Sequence, residues 1–220
     1  MFRPFDHYFG GFGPNDGTVD FYLRVGSLAG HTKTLLDLGA GRAAWFEDDP
    51  VGIRRRTRHM QGKFGKFIAA DVDPVVLRNR ASDHQVLIKD GRVPLDDRSI
   101  DVIVSDYVLE HVADPAAFAA EVDRLLVPGG WFCARTPHRL NYVVMASRLM
   151  AGRLGDRMVS AAQPDRKEED VFPKQYKLNS MHDLTSFFPG ILTFRICAGP
   201  TLHTTSAENL RIGHWISSIA

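Results

Sequence analysis

The stretch Leu35-Leu36-Asp37-Leu38-Gly39-Ala40-Gly41-Arg42-Ala43 runs from apolar residues straight into a pair of glycines, with a carboxylate two positions ahead of the first. Glycine permits a tight turn and leaves no Cβ between the backbone and a bound molecule, so such a turn at a strand end can seat a nucleotide-like ligand. A purely structural turn would have the same glycines. Gly39, Gly41 and Ala44 also satisfy the small-residue spacing of a dinucleotide site, which requires an acid about 20 residues further on. Asp37 argues against that ligand: its carboxylate would face a pyrophosphate unfavourably but can hold an ammonium group. The pattern favours a ligand bearing an amino acid over NAD.

A second carboxylate, Asp71, ends the apolar run Phe67-Ile68-Ala69-Ala70, where it can accept hydrogen bonds from both hydroxyls of a ribose. It lies 30 residues after Gly41, further than the dinucleotide pattern places its acid. Asp73, followed by Pro74, suits a helix cap better than a ligand contact.

These residues need a scaffold that brings several strand ends together. From Thr34 onward, short apolar runs alternate with amphipathic stretches, the pattern of a parallel sheet with crossover helices. The spacing predicts strands over 33–38, 67–71, 85–89, 100–105 and 131–136. Val102-Ile103-Val104 is apolar at consecutive positions, as a strand buried on both faces must be. Asp114-Pro115 opens a helix whose apolar face is Phe118, Val122, Leu125 and Leu126, and Val127-Pro128-Gly129-Gly130 stops it. Upstream, Val19, Phe21, Tyr22 and Val25 predict one helix after an N-terminal arm. Downstream, 139–151 reads as helical, 163–170 as a charged lid or loop, and Ser180 with Asp183 as a capping box. Residues 191–197 read as a strand. A seventh strand around Leu210-Arg211-Ile212 is poorly marked.

The 220 residues suit one domain, and 44% apolar with 24% charged residues is a globular balance that excludes disorder. A net charge of +1 provides no global field for nucleic acid or an anionic membrane. The local cluster Arg54, Arg55, Arg56 and Arg58 reads as a solvated helical face, with phosphate contact as the sharper alternative. Cys133 and Cys197 lie in apolar runs as buried free thiols suited to a reducing cytoplasm. The N-terminus shows no apolar leader core, and no run is long enough to span a membrane. The histidines are scattered without ligand spacing, so no metal is expected.

Taken in order, Asp37-Leu38-Gly39-Ala40-Gly41, Asp71, Lys89-Asp90-Gly91, the run from Ser99 through Asp106 to Val112, and Leu125 to Gly130 resemble the class I S-adenosylmethionine-dependent methyltransferases. The likeness spans about 33–137 and is strongest to the broad group that includes quinone-biosynthesis methyltransferases. It implies a Rossmann-like α/β three-layer sandwich with a mostly parallel sheet. It also implies S-adenosylmethionine as cofactor, with Asp37, Gly39 and Gly41 around its methionine part and Asp71, with Val72 beside it, at the ribose. Asp90 and Gly91 would then lie at the adenine, and Asp106 near the transferred methyl. Two departures stand out: Ala43 replaces a frequent third glycine, and the stretch from Gly41 to Asp71 is longer than usual, with room for an extra helix.

Methyl transfer from a sulfonium is an in-line displacement that relies chiefly on positioning, and a base is needed only where the acceptor must lose a proton. His111 and His138 are the candidates for that base, and Tyr107 could set its ring near the sulfonium. No catalytic residue is assigned. The expected acceptor is a small molecule or a glycan-like or lipid-like precursor. Two rival readings stay open, an NAD-dependent oxidoreductase and a non-catalytic cofactor-binding partner subunit.

Overall fold

Leu35 and Leu36 are apolar on consecutive positions because the strand that carries them is covered on both faces. The computed structural model describes residues 16–137, 175–188, 193–197 and 209–215. Its sheet has seven strands in the order β3-β2-β1-β4-β5-β7-β6. The first five, β1 (Gly30–Leu38), β2 (Phe64–Asp71), β3 (His84–Leu87), β4 (Ile100–Asp106) and β5 (Leu126–Pro137), run parallel. β7 (Asn209–Trp215) pairs antiparallel with both β5 and β6 (Thr193–Cys197). The expected Rossmann-like sandwich is therefore present, and the poorly marked seventh strand exists between its two partners.

Two apolar clusters sandwich the sheet. On one face Leu36, Ile68, Ile103 and Phe132 pack with Leu125 of helix α4 (Pro115–Leu125) and Leu184 of α5 (Met181–Phe187). On the other, Leu35, Phe67, Val102 and Val104 pack with Phe21, Tyr22 and Val25 of α1 (Gly17–Gly26). Cys133 is buried there, and burial pushes its thiol up to about 12. Among the described residues no helix is long and apolar enough to cross a membrane.

Caps set the helix starts. Asp16 accepts from the Thr18 and Val19 amides at 2.9 and 3.1 Å, and Asp114 accepts from Ala117 at 3.0 Å with Pro115 in the first turn. Ser180 accepts from the Asp183 amide, the N-cap half of the expected capping box, and its hydroxyl donates to the Asp183 carboxylate.

Beyond strand ends that shift by one to three residues, three places depart from the sequence reading. Asp73 caps only a single 3-10 turn, Pro74–Arg78, because Asn79 ends it and turns its side chain onto the Gly41 carbonyl at 3.0 Å. The long stretch after Gly41 forms two short helices, α2 (Ala44–Asp48) and α3 (Gly52–Arg58), rather than one, separated around Pro50. β5 starts at Leu126, directly after α4, and takes up Val127-Pro128-Gly129-Gly130 as an irregularity between the pairings Ile100 with Leu126 and Val102 with Trp131. Gly129, at φ +79°, makes that excursion possible. The predicted helix 139–151, the charged segment 163–170 and His138 lie outside the described residues.

Candidate functional site

β1 lies between β2 and β4, so the connections leaving it and β4 diverge to opposite sides, and the carboxyl ends of these strands frame a crevice. This is the topological switch point where open α/β sheets bind ligands. Asp37, Asp71 and Asp106 all stand at strand carboxyl ends around it.

The glycine turn is bent into place from both sides. Gly39 adopts φ +87° and Gly41 φ +53°, and the Gly39 and Ala40 amides donate to the Ala70 carbonyl at 2.7 and 3.1 Å. A Cβ on Gly39 would lie 2.3 Å from Val108 Cγ2, whereas one on Gly41 would project into open space. Gly39 is thus required by packing, and Gly41 leaves an approach to the backbone uncovered. Ala43, at φ +56°, holds the left-handed conformation without glycine's freedom, so the turn keeps its course despite the departure seen in the sequence.

Asp71 is part of the same turn. One carboxylate oxygen accepts from the Gly41 amide at 2.8 Å and the other from the Asp73 amide at 3.0 Å. Each oxygen has a further lone pair, so the group can still accept from hydroxyls. Val72 beside it is 60% exposed, an apolar surface next to a fixed carboxylate. Asp90 and Gly91, at φ +52° and +73°, are the centre of a two-residue reverse turn closed by hydrogen bonds of 3.2 and 2.9 Å between Lys89 and Arg92. Both are exposed, and a Cβ on Gly91 would meet nothing within 4 Å.

Asp106 sits at the centre of a buried ionic cluster. Its Oδ1 accepts from Arg135 Nε at 2.7 Å, and its Oδ2 accepts from Arg135 Nη2 at 2.8 Å and the Tyr22 hydroxyl at 3.1 Å. Arg58 Nη2 lies 3.2 Å from the same Oδ2. Each guanidinium is flanked by two rings: Arg58 by Tyr22 and Trp45 at 5.2 and 4.8 Å, Arg135 by Phe21 and Tyr107 at 5.4 and 4.7 Å. Burial pushes the Asp106 carboxyl up, but Arg135 and Arg58 outweigh it and hold the group below its ordinary value. Burial also pushes Tyr22 well above its usual phenol range.

Asp37 behaves oppositely. Burial raises its carboxyl to about 7, with Asp106 and Asp71 adding repulsion and Arg58 opposing them. Together with Tyr22 and Arg58 it lines a small cavity floored by Leu35, Phe67 and Val104. Tyr107, the residue after Asp106, has φ +59°, a strained conformation for a bulky side chain, and the residue is 38% exposed. His111 lies half-buried one short 3-10 turn later, in Leu109–His111.

The arginine cluster divides by helical spacing. Arg54 and Arg58, four residues apart, share the inner face of α3: Arg54 meets Asp16 and Asp49 at 3.5 and 3.4 Å, and Arg58 enters the cluster around Asp106. Arg55 and Arg56 are exposed. The i, i+4 pair was the one available signal for an inward face. Arg135, in a run otherwise read as plain strand core, gave no such signal. Glu110 is buried as well: it accepts from the Thr136 hydroxyl at 2.8 Å, and its carbonyl accepts from the Gln175 and Tyr176 amides, which tethers the segment leading to α5.

Comparison with known proteins adds sequence likeness to this geometry. A family profile described as a methyltransferase domain matches residues 51–134, a span that holds Arg58, Asp71, Asp90, Gly91 and Asp106. A probable S-adenosylmethionine-dependent methyltransferase of Mycolicibacterium smegmatis is 38% identical over 121 residues, covering 44% of this chain and 47% of that protein. A thiol S-methyltransferase of Rattus norvegicus is 30% identical over 116 residues, covering 50% of this chain and 46% of that protein. The chain spans about half the length of the curated relatives it matches. A solved S-adenosylmethionine-dependent methyltransferase from Methanosarcina mazei has a TM-score of 0.57 at 14% identity, covering 88% of this chain and 97% of that one, a likeness of fold.

Proposed function

We propose that the chain is a class I S-adenosylmethionine-dependent methyltransferase, a reading supported by the methyltransferase-domain profile and by the likeness to the Mycolicibacterium smegmatis protein, and that it binds S-adenosylmethionine at the β1/β4 switch point and transfers the methyl group to an acceptor. The observation that carries the reading is the convergence of Asp37, the open backbone at Gly41 and the fixed carboxylate of Asp71 on one crevice.

The residues present fit the cofactor. Asp37 takes the ammonium group, and the uncovered backbone at Gly39 to Gly41 takes the rest of the methionine end. Asp71 takes the ribose hydroxyls, the exposed face of Val72 takes the flat adenine, and Asp90 with Gly91 lies at the adenine edge. When bound, the cofactor supplies an electrophilic methyl carbon on a positively charged sulfur. That carbon would be open to displacement by an acceptor's lone pair, with the bonding pair left on sulfur as a neutral thioether. The protein's part is to align the partners and exclude water. Asp106 serves this by holding Arg58 and Arg135 in place, and Tyr107 presents its ring at the crevice edge.

A net charge of +1 favours an uncharged or small acceptor, a small molecule or a glycan-like or lipid-like precursor, over a polyanion. Two cysteines in apolar runs suit the cytoplasm. Calorimetric titration with S-adenosylmethionine and with NAD, using Asp71→Ala as control, tests the central claim. Saturable binding of the sulfonium compound, weakened in the variant, is the expected result; binding of NAD alone or of neither overturns it.

A further inference from the structure

Arg58 and Asp37 face the same small cavity, yet no hydrogen bond joins them. Asp37 receives no hydrogen-bond donor among the described residues. Arg58 offers a single nitrogen, Nη2, to Asp106, on an oxygen that already accepts from Arg135 and Tyr22, and its Nε is buried with no acceptor. A buried donor without a partner costs free energy that a suitable ligand can recover. Arg135 has no such unmet need: it engages both oxygens of Asp106 and donates to the Thr18 hydroxyl at 2.9 Å.

We infer that Arg58 and Asp37 form a two-ended clamp for the α-amino-acid end of the cofactor, with Asp37 taking its ammonium and Arg58 its carboxylate. The inference rests on the functional reading above and assigns a binding role to a residue of the inserted helix α3. A zwitterion is the species that meets both ends at once. A phosphate or a plain carboxylate would be repelled by Asp37, and a plain amine would leave Arg58 unmet. Trp45 and Tyr22 hold the guanidinium plane between them, so its fork is oriented before the ligand arrives.

The test is calorimetric titration of the full chain with three ligands: S-adenosylhomocysteine, the same molecule lacking its carboxylate, and 5′-methylthioadenosine, which lacks both ends. The wild type is expected to favour the first over the second by about 10- to 100-fold, the range for hydrogen bonds to charged groups. Arg58→Met should bring that ratio to within about threefold while 5′-methylthioadenosine binding stays nearly constant. Arg58→Lys, which keeps the charge and loses the fork, should fall between and carries the test if the Met variant does not fold. Equal weakening of all three ligands by either folded variant makes Arg58 merely structural and overturns the clamp while the cofactor reading stands. Failure of the wild type to bind any of them removes the cofactor reading itself.

Discussion

Replacing Asp37 by Asn should make the ligand-free protein more stable at pH 8 while it damages the site. The Asp37 carboxyl, half-buried among Leu35, Phe67 and Val104, is raised by burial from the ordinary 3.8 to about 7. A carboxyl raised on folding contributes stability that is fully present below its unfolded value and lost as pH rises through its folded value. For Asp37 that window runs from about 3.8 to about 7. At roughly 1.36 kcal/mol per pH unit the full loss is about 4 kcal/mol, and partial exposure brings it to roughly 1–2 kcal/mol. Asparagine has nearly the same shape and never ionises, so the variant escapes this loss. Urea unfolding should show an advantage for Asp37→Asn that is small at pH 5 and reaches roughly 1–2 kcal/mol at pH 8, with the melting temperature raised by about 2–8 °C. Cofactor affinity should fall at the same time. A variant less stable than the wild type at pH 8, or equally shifted at both pH values, would refute the reasoning: the charge of Arg58 would then outweigh burial.

Asp106→Asn should act in the opposite direction, because it leaves Arg135, 2% exposed, without its countercharge. Breaking a buried pair costs about 3–5 kcal/mol, and a loss under about 1 kcal/mol in urea at pH 7 would deny Asp106 its central place. Since the folded-state value of Asp106 is depressed, its contribution is present above the unfolded value near 3.9 and is lost as pH falls through the lower folded one. The two glycines of the turn should separate packing from binding. Gly39→Ala, whose Cβ would lie 2.3 Å from Val108, should lose roughly 2–4 kcal/mol from overpacking and left-handed strain together. Gly41→Ala meets no atom within 4 Å, so it should lose only about 1–2 kcal/mol while cofactor affinity falls clearly; unchanged affinity would remove Gly41 from the site.

The sequence by itself determined the strands of the parallel core and the carboxylates at their ends. Paired apolar residues such as Leu35-Leu36 report burial on both faces, and glycines and caps report turns locally, with no knowledge of distant partners. The same local logic set the helix starts at Asp114 and Ser180. It failed where the deciding contact joins residues far apart. The 3-10 turn after Asp73 ends through Asn79 reaching back to Gly41, 38 residues away. Arg135 meets Thr18 across 117 positions and Tyr22 meets Asp106 across 84. Arg58, charged and set among other arginines, looks solvated in sequence because nothing local announces Asp106, Tyr22 and Trp45 around it. A charge is stable in the interior only where countercharges and rings are brought to it, and such a meeting exists only once α1, α3, β4 and β5 have packed together.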